Sequence, residues 1–132
     1  MADEHSIARG RELATSIWGE AFEKRTIPHL ERLDPAFREF IEEFVFGEVW
    51  SRPGLDLRTR SLCTIASLAS LGRTMQLEGH ITGALANGAS REEIVEVLLQ
   101  MAVYAGFPAA WDALIVARRV FAAQDDKARM QE

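Results

Sequence analysis

From Ser61 to Leu71 the sequence reads SLCTIASLASL, without one charged side chain, and Gly72 closes it. Asp56 stands where a capping residue opens a helix and Gly72 where a glycine ends one, so residues 57–71 are predicted to form a helix. A helix on the surface of a globular protein shows one apolar stripe. This one is apolar or small nearly all the way round and has to be covered on more than one side. The stretch at 91–104 is almost as apolar. A chain of 132 residues has too little interior to bury two such helices completely. Burial against other copies follows, and a homo-oligomer is expected.

The remaining segments are helical too. Residues 3–19 carry Ile7, Leu13, Ile17 and Trp18 as a loose stripe, and a shorter irregular piece containing Pro28 covers about 20–31. Asp34 is a good N-cap with Pro35 at the first helical position. The following helix is expected to bury Phe37, Phe40, Ile41, Phe44 and Val45 on one face. RTMQLEGHITGALANG stops at Gly88, and Ser90 with Glu93 forms a capping box for the next helix. The last helix starts after Gly106, has Pro108 near its first turn, and is predicted to end near Ala123. Seven helical stretches without a convincing strand, joined by tight turns, give an all-α fold: a compact bundle of about six to seven short helices. The length fits a single domain, 1–132.

Composition excludes several functions. The net charge of −5 argues against a nucleic acid or an anionic membrane as partner, since either needs a basic face. The N-terminus, MADEHSIARGRELATS, is acidic and lacks the apolar core of a signal peptide. No segment has the length and apolarity of a membrane span. Cys63 is the only cysteine, so neither an intrachain disulfide nor a Cys-x-x-Cys pair can form. The chain is read as cytoplasmic. Cys63, inside its apolar helix, is expected to be buried and slow to react.

Few residues are left to carry chemistry. His80 lies on a helix whose inward positions are Leu77, Ile81 and Ala84. It is either a hydrogen-bonded core histidine or a group that passes a proton near neutral pH. Glu78 points to another side of that helix. His5 and His29 fall in charged or irregular sequence, and no carboxylates stand at ligand spacing, so no metal site is expected. Ser61, Thr64 and Gln76 are polar groups in apolar surroundings; a serine or threonine there commonly bonds the carbonyl one turn back. In EVWSRPGLDLRTRSL, Glu48, Arg52, Arg58 and Arg60 gather around Trp50 and a Pro53-Gly54 turn. They read either as solvated ion pairs or as guanidinium groups that take a small polyanion in bidentate fashion.

The run GEVWSRPGLDLRTRSLCTIASLASLGR followed by QLEGHITGALANGASREEIVEVLLQMAVYAGFPAA resembles the carboxymuconolactone decarboxylase family, from about Glu48 to Ala110. The resemblance implies the alkylhydroperoxidase-D-like helical fold. Thiol peroxidases of that fold carry Cys-x-x-Cys with a histidine four residues on. Counting back from His80, the thiol positions are Arg73 and Gln76, so thiol peroxidase chemistry is not expected.

What the resemblance implies instead is decarboxylation of 4-carboxymuconolactone to 3-oxoadipate enol-lactone, in the protocatechuate branch of the β-ketoadipate pathway. The lactone supplies its own electron sink, so no cofactor is required. His80 is the implied proton donor, with Glu48 orienting or resupplying it. Arg52 is the implied carboxylate anchor and Trp50 a wall, with Ser61 and Gln76 also against substrate. The expected partners are a small anionic lactone and further copies of the chain, a hexamer built as a trimer of dimers. The family also includes members acting on other lactones or small carboxylated substrates, and a non-catalytic helical assembly protein is the rival from another class.

Overall fold

A computed structural model describes residues 2–132. Among the described residues there are helices and no strands, as expected, and the contacts gather into two units, one ending at Asp56 and one spanning Leu57–Glu132.

The N-terminal unit consists of α1 (Glu4–Trp18), a short π-helix π1 (Phe22–Thr26), α2 (Ile27–Leu33), α3 (Pro35–Phe40) and a longer π-helix π2 (Ile41–Trp50). Asp3 caps α1 by accepting from the His5 amide at 3.1 Å, and Asp34 caps α3 by accepting from the Phe37 amide at 3.0 Å. The core of this unit lies where α1 packs along π2. Two glycines set how close they come. A Cβ on Gly10 would stand 1.8 Å from the Glu42 carbonyl oxygen, and one on Gly47 would stand 2.2 Å from that of Ser6. Trp18, Phe22, Phe46 and Trp50 fill the adjoining space as an aromatic cluster, with Phe46 edge-on to Trp18 at 5.5 Å and to Phe22 at 5.9 Å.

The expected apolar face of residues 35–50 is corrected by this unit. The α-helix ends at Phe40, and the chain continues in the wider π turn, whose hydrogen bonds run i to i+5. Widening the turn changes which residues share a face. Within π2, Glu42, Phe46, Gly47 and Trp50 point inward, Ile41 and Val45 are partly buried and Phe44 is exposed; Phe37 and Phe40, still on α3, are exposed as well. Glu42 tolerates full burial because two guanidinium groups meet it. Arg11 donates to Oε2 from Nε at 2.8 Å, and Arg38 to Oε1 from Nη1 at 2.7 Å.

The C-terminal unit holds α4 (Leu57–Leu71), α5 (Thr74–Ala86), α6 (Arg91–Ala105) and α7 (Phe107–Met130). Gly72, Gly88 and Gly106 separate them with φ of 69°, 97° and 101°, values that only glycine adopts easily. The Ser90–Glu93 capping box is formed in both directions, at 3.0 Å each. Ile65, Leu77, Ile81, Ile94 and Leu98 are fully buried and meet Ala113, Ala117 and Phe121 of α7. That helix runs beyond the predicted end at Ala123, although it buries nothing after Phe121. Gln124, Lys127, Ala128, Arg129 and Met130 in its last turns are good helix formers, and Arg91 of α6 ties Asp125 in place at 2.8 Å. Among the described residues no helix is long and apolar enough to cross a membrane.

Cys63 is the second correction. On its own unit α4 buries only Ser61, Ile65 and Ala69, a stripe at four-residue spacing, and Cys63 falls off that stripe and is exposed. A thiol reagent is therefore expected to label the native protein nearly as fast as the unfolded chain, and Cys63→Ser to leave any activity within about twofold, the scatter of a surface change. Labelling many times slower than in denaturant would show that this face of α4 is covered in solution.

Candidate functional site

His80 is placed by α5, which begins after Arg73 and ends before Gly88. Leu77, Ile81 and Ala84 form the inward face of that helix, as the spacing predicts, and all three are fully buried. His80 sits at the edge of this face, half-buried, with Nδ1 sealed from solvent. Burial pushes the imidazole below its ordinary value of 6.5 by disfavouring the charged form. The unfolded chain thus takes this proton more readily than the folded one, so His80's contribution to stability is full above 6.5 and declines as pH falls through that value. Glu78 is exposed on another side, as expected.

The other polar candidates of this unit separate. Ser61 is buried. Its Oγ accepts from Asn87 Nδ2 at 3.0 Å, a tie between α4 and the end of α5. Thr64 bonds back along its own helix, donating to the Arg60 carbonyl at 2.8 Å. Gln76 is exposed, where the sequence suggested apolar surroundings. Arg58 forms an ion pair with Glu93, and both side chains are partly exposed, so this member of the charged cluster reads as a solvated pair.

Glu48, Trp50 and Arg52 belong to the N-terminal unit. Trp50 closes π2 and is buried, its ring tilted against Phe46 at 5.8 Å. Arg52 follows π2 and is exposed. Glu48 stands on π2 with about half its side chain exposed, and Oε1 accepts from Ser6 Oγ and from Arg9 Nη2, the latter at 3.1 Å. Neither Ser6 nor Arg9 was marked by the sequence. The only local signal is that they lie three residues apart on the first turns of α1, and their partner is some forty residues away. Asn87 escaped notice for the same reason.

Among the described residues no three His, Cys, Asp or Glu side chains gather closely enough to hold a metal ion. Open grooves mark the C-terminal unit, and two of them differ in character. One is polar, between α5 and α7, with Glu78, Asp112 and Arg119 in its walls; the other is apolar, between α6 and α7, lined by Leu99, Phe107, Trp111 and Ile115. His80 lines neither.

Residues 35–119 match the model of the carboxymuconolactone decarboxylase family. The chain is 41% identical to 4-carboxymuconolactone decarboxylase of Acinetobacter baylyi, over 92% of this chain and 90% of that one. It is 33% identical to an uncharacterized 15.0 kDa protein from the nqo9–nqo10 intergenic region of Paracoccus denitrificans, over 94% and 93% of the two chains. It is 31% identical to nitrosuccinic acid decarboxylase npaB of Metarhizium robertsii, over 89% and 82%. The family model covers more than half of the sequence and takes in α5 with His80, and the similarity to these relatives runs through both units. The chain belongs to the carboxymuconolactone decarboxylase family.

Proposed function

We infer that this chain is a carboxy-lyase that releases CO2 from 4-carboxymuconolactone and leaves 3-oxoadipate enol-lactone. The observation that carries this reading is the 41% identity, over nearly the full length of both chains, to a relative of that name. The chemistry suits a protein with one half-buried histidine. The departing carboxylate is on the ring carbon beside the lactone oxygen. When its bond to the ring breaks, the electron pair shifts through the ring double bond into the lactone carbonyl, giving a dienolate. One proton then goes to the carbon next to that carbonyl. The substrate itself stores the electrons, so the protein has to bind two carboxylates, stabilise the enolate oxygen and deliver a proton.

His80 delivers that proton. Burial leaves its imidazole mostly neutral in the free protein near pH 7. Two negative charges brought in by the substrate favour the protonated form and draw a proton onto the ring as the complex forms. Arg52 is proposed to anchor a carboxylate, Trp50 to shape the apolar side, and Glu48 to resupply the proton. Ser61 and Gln76 are proposed as further substrate contacts, Ser61 through its tie to Asn87. The test is purified protein with freshly prepared lactone, following CO2 and ultraviolet absorbance. Turnover is expected, and its absence sinks the reading.

A second reading keeps the reaction and changes the substrate. The Metarhizium relative is named for nitrosuccinic acid, a small dicarboxylic acid. Its nitro group, like the lactone carbonyl, accepts the electron pair left by CO2. Turnover of nitrosuccinate without turnover of the lactone would favour it.

We propose, too, that the protein works as a homo-oligomer, with a hexamer of three dimers as the expected state. Val103 and Tyr104 at the end of α6 and Phe107 and Trp111 at the start of α7 are each at least two-thirds exposed, and soluble monomers rarely leave large apolar patches bare. Light scattering at micromolar concentration is expected to give several times the 14.8 kDa of one chain. A fully active particle of one chain's mass would overturn the proposal.

A further inference from the structure

Three carboxylate-bearing or hydroxyl side chains and one guanidinium converge where the first turn of α1 meets π2. Ser6, almost fully buried, is at the centre. Its Oγ is 2.7 Å from Asp3 Oδ2 and in hydrogen-bond contact with Glu48 Oε1. A hydroxyl has a single proton and serves only one of two carboxylates at a time. Arg9 supplies what is missing. Its Nη2 lies 3.1 Å from both Ser6 Oγ and Glu48 Oε1, and its Nε donates to the Gly47 carbonyl at 2.8 Å. One guanidinium therefore grips the backbone just before Glu48 and the side chain of Glu48 together. A half-exposed glutamate ordinarily samples several rotamers. Here one carboxylate oxygen is held by Arg9 Nη2 and, whenever the Ser6 proton turns from Asp3, by Ser6 Oγ as well, both from another helix, and Oε2 is the oxygen left to act.

We propose that Arg9 and Ser6 are positioning residues for the decarboxylation, holding Glu48 in the single orientation in which its carboxylate serves the reaction. This rests on the role given to Glu48 above. On this reading their effect passes through Glu48 alone. Charge-assisted hydrogen bonds of this kind orient a carboxylate more firmly than neutral ones, and removing an orienting partner typically costs about 10-fold in activity or somewhat more.

The experiment is a double-mutant cycle on the full chain, with kcat and KM measured for Glu48→Gln, Arg9→Met, Ser6→Ala and the pairs with Glu48→Gln. Arg9→Met and Ser6→Ala are expected to lower kcat about tenfold with KM nearly unchanged, and to lower it no further once Glu48 is glutamine. Arg9→Lys, which keeps a cation and loses the fork, is expected to fall between. If Glu48→Gln leaves kcat intact, the role of Glu48 itself is wrong. If Glu48→Gln lowers kcat but the other losses are absent, or add fully to it, the positioning proposal is overturned. Should Arg9→Met fold poorly, because its Nε also holds the Gly47 carbonyl, the near-isosteric Ser6→Ala decides alone.

Discussion

His80→Ala is expected to lower the rate of CO2 release by about 10²–10⁴-fold, the usual worth of a positioned general acid. The loss should fall on kcat, because the proton is delivered after the substrate is bound. Alanine is the best helix former, and the fully buried neighbours Leu77 and Ile81 keep the inward face of α5 filled. Helicity and particle size should therefore be unchanged, and a rate change is attributable to the imidazole. The pH profile gives an independent reading. The protonated fraction of His80 in the free protein declines as pH rises through a value below 6.5, so kcat/KM should decline over the same range. That slope should vanish in His80→Ala. A loss under about threefold, or an unchanged profile, takes His80 out of the reaction; it would also favour a non-catalytic assembly role for the chain.

Gly10→Ala is expected to be the most damaging of the conservative changes to the fold. The added methyl would have to occupy space 1.8 Å from the Glu42 carbonyl oxygen and 2.7 Å from the Gly47 amide nitrogen, both of them backbone atoms. No rotamer relieves that contact, so α1 and π2 must separate. Separation loosens the aromatic packing and the Arg11 contact to the buried Glu42 together, leaving Glu42 with Arg38 alone. A cost of about 3 kcal/mol or more is expected, at or above the upper end for overpacking. In urea this moves the midpoint down by roughly 1 M or more. Gly79→Ala on α5 is the control. Nothing lies within 4 Å of its added methyl, and replacing a mid-helix glycine should stabilise by about 0.5–1 kcal/mol. Equal effects of the two substitutions, read by far-ultraviolet circular dichroism, would mean that the close crossing of α1 and π2 does not exist.

The parts of this molecule that were legible in its sequence are the ones written in neighbouring residues. Ser90 and Glu93 announce the start of α6, Asp34 that of α3, and Gly72, Gly88 and Gly106 the ends of helices, because caps and left-handed turns are made by side chains within a few positions of each other. The inward set Leu77, Ile81 and Ala84 follows from the helical repeat. Residues 41–50 defeated that reasoning because a π turn changes the repeat itself, and Glu42 owes its burial partly to Arg11, thirty-one residues away. Cys63 is expected inward and lies outward because α4, made of small and apolar residues, does not mark its own face. The position of His80 could be read from spacing. Its chemical role could not, and came only from the resemblance of the residues around it to a family.

The three tryptophans are distributed so that the protein carries its own optical label. Trp50 is buried beside Phe46, and Trp18 packs edge-on to the same ring, both within the N-terminal unit. Trp111 is the sole tryptophan of the C-terminal unit, about two-thirds exposed at the start of α7. Indole emission moves to longer wavelength in water, and a collisional quencher such as acrylamide reaches exposed rings first. Titrating acrylamide against unlabelled protein therefore separates two populations. Shielding of the quenchable one as concentration rises reports a partner settling on Trp111, and a red shift of the protected one reports loosening around Phe46, with Trp111→Phe removing the first signal and leaving the second.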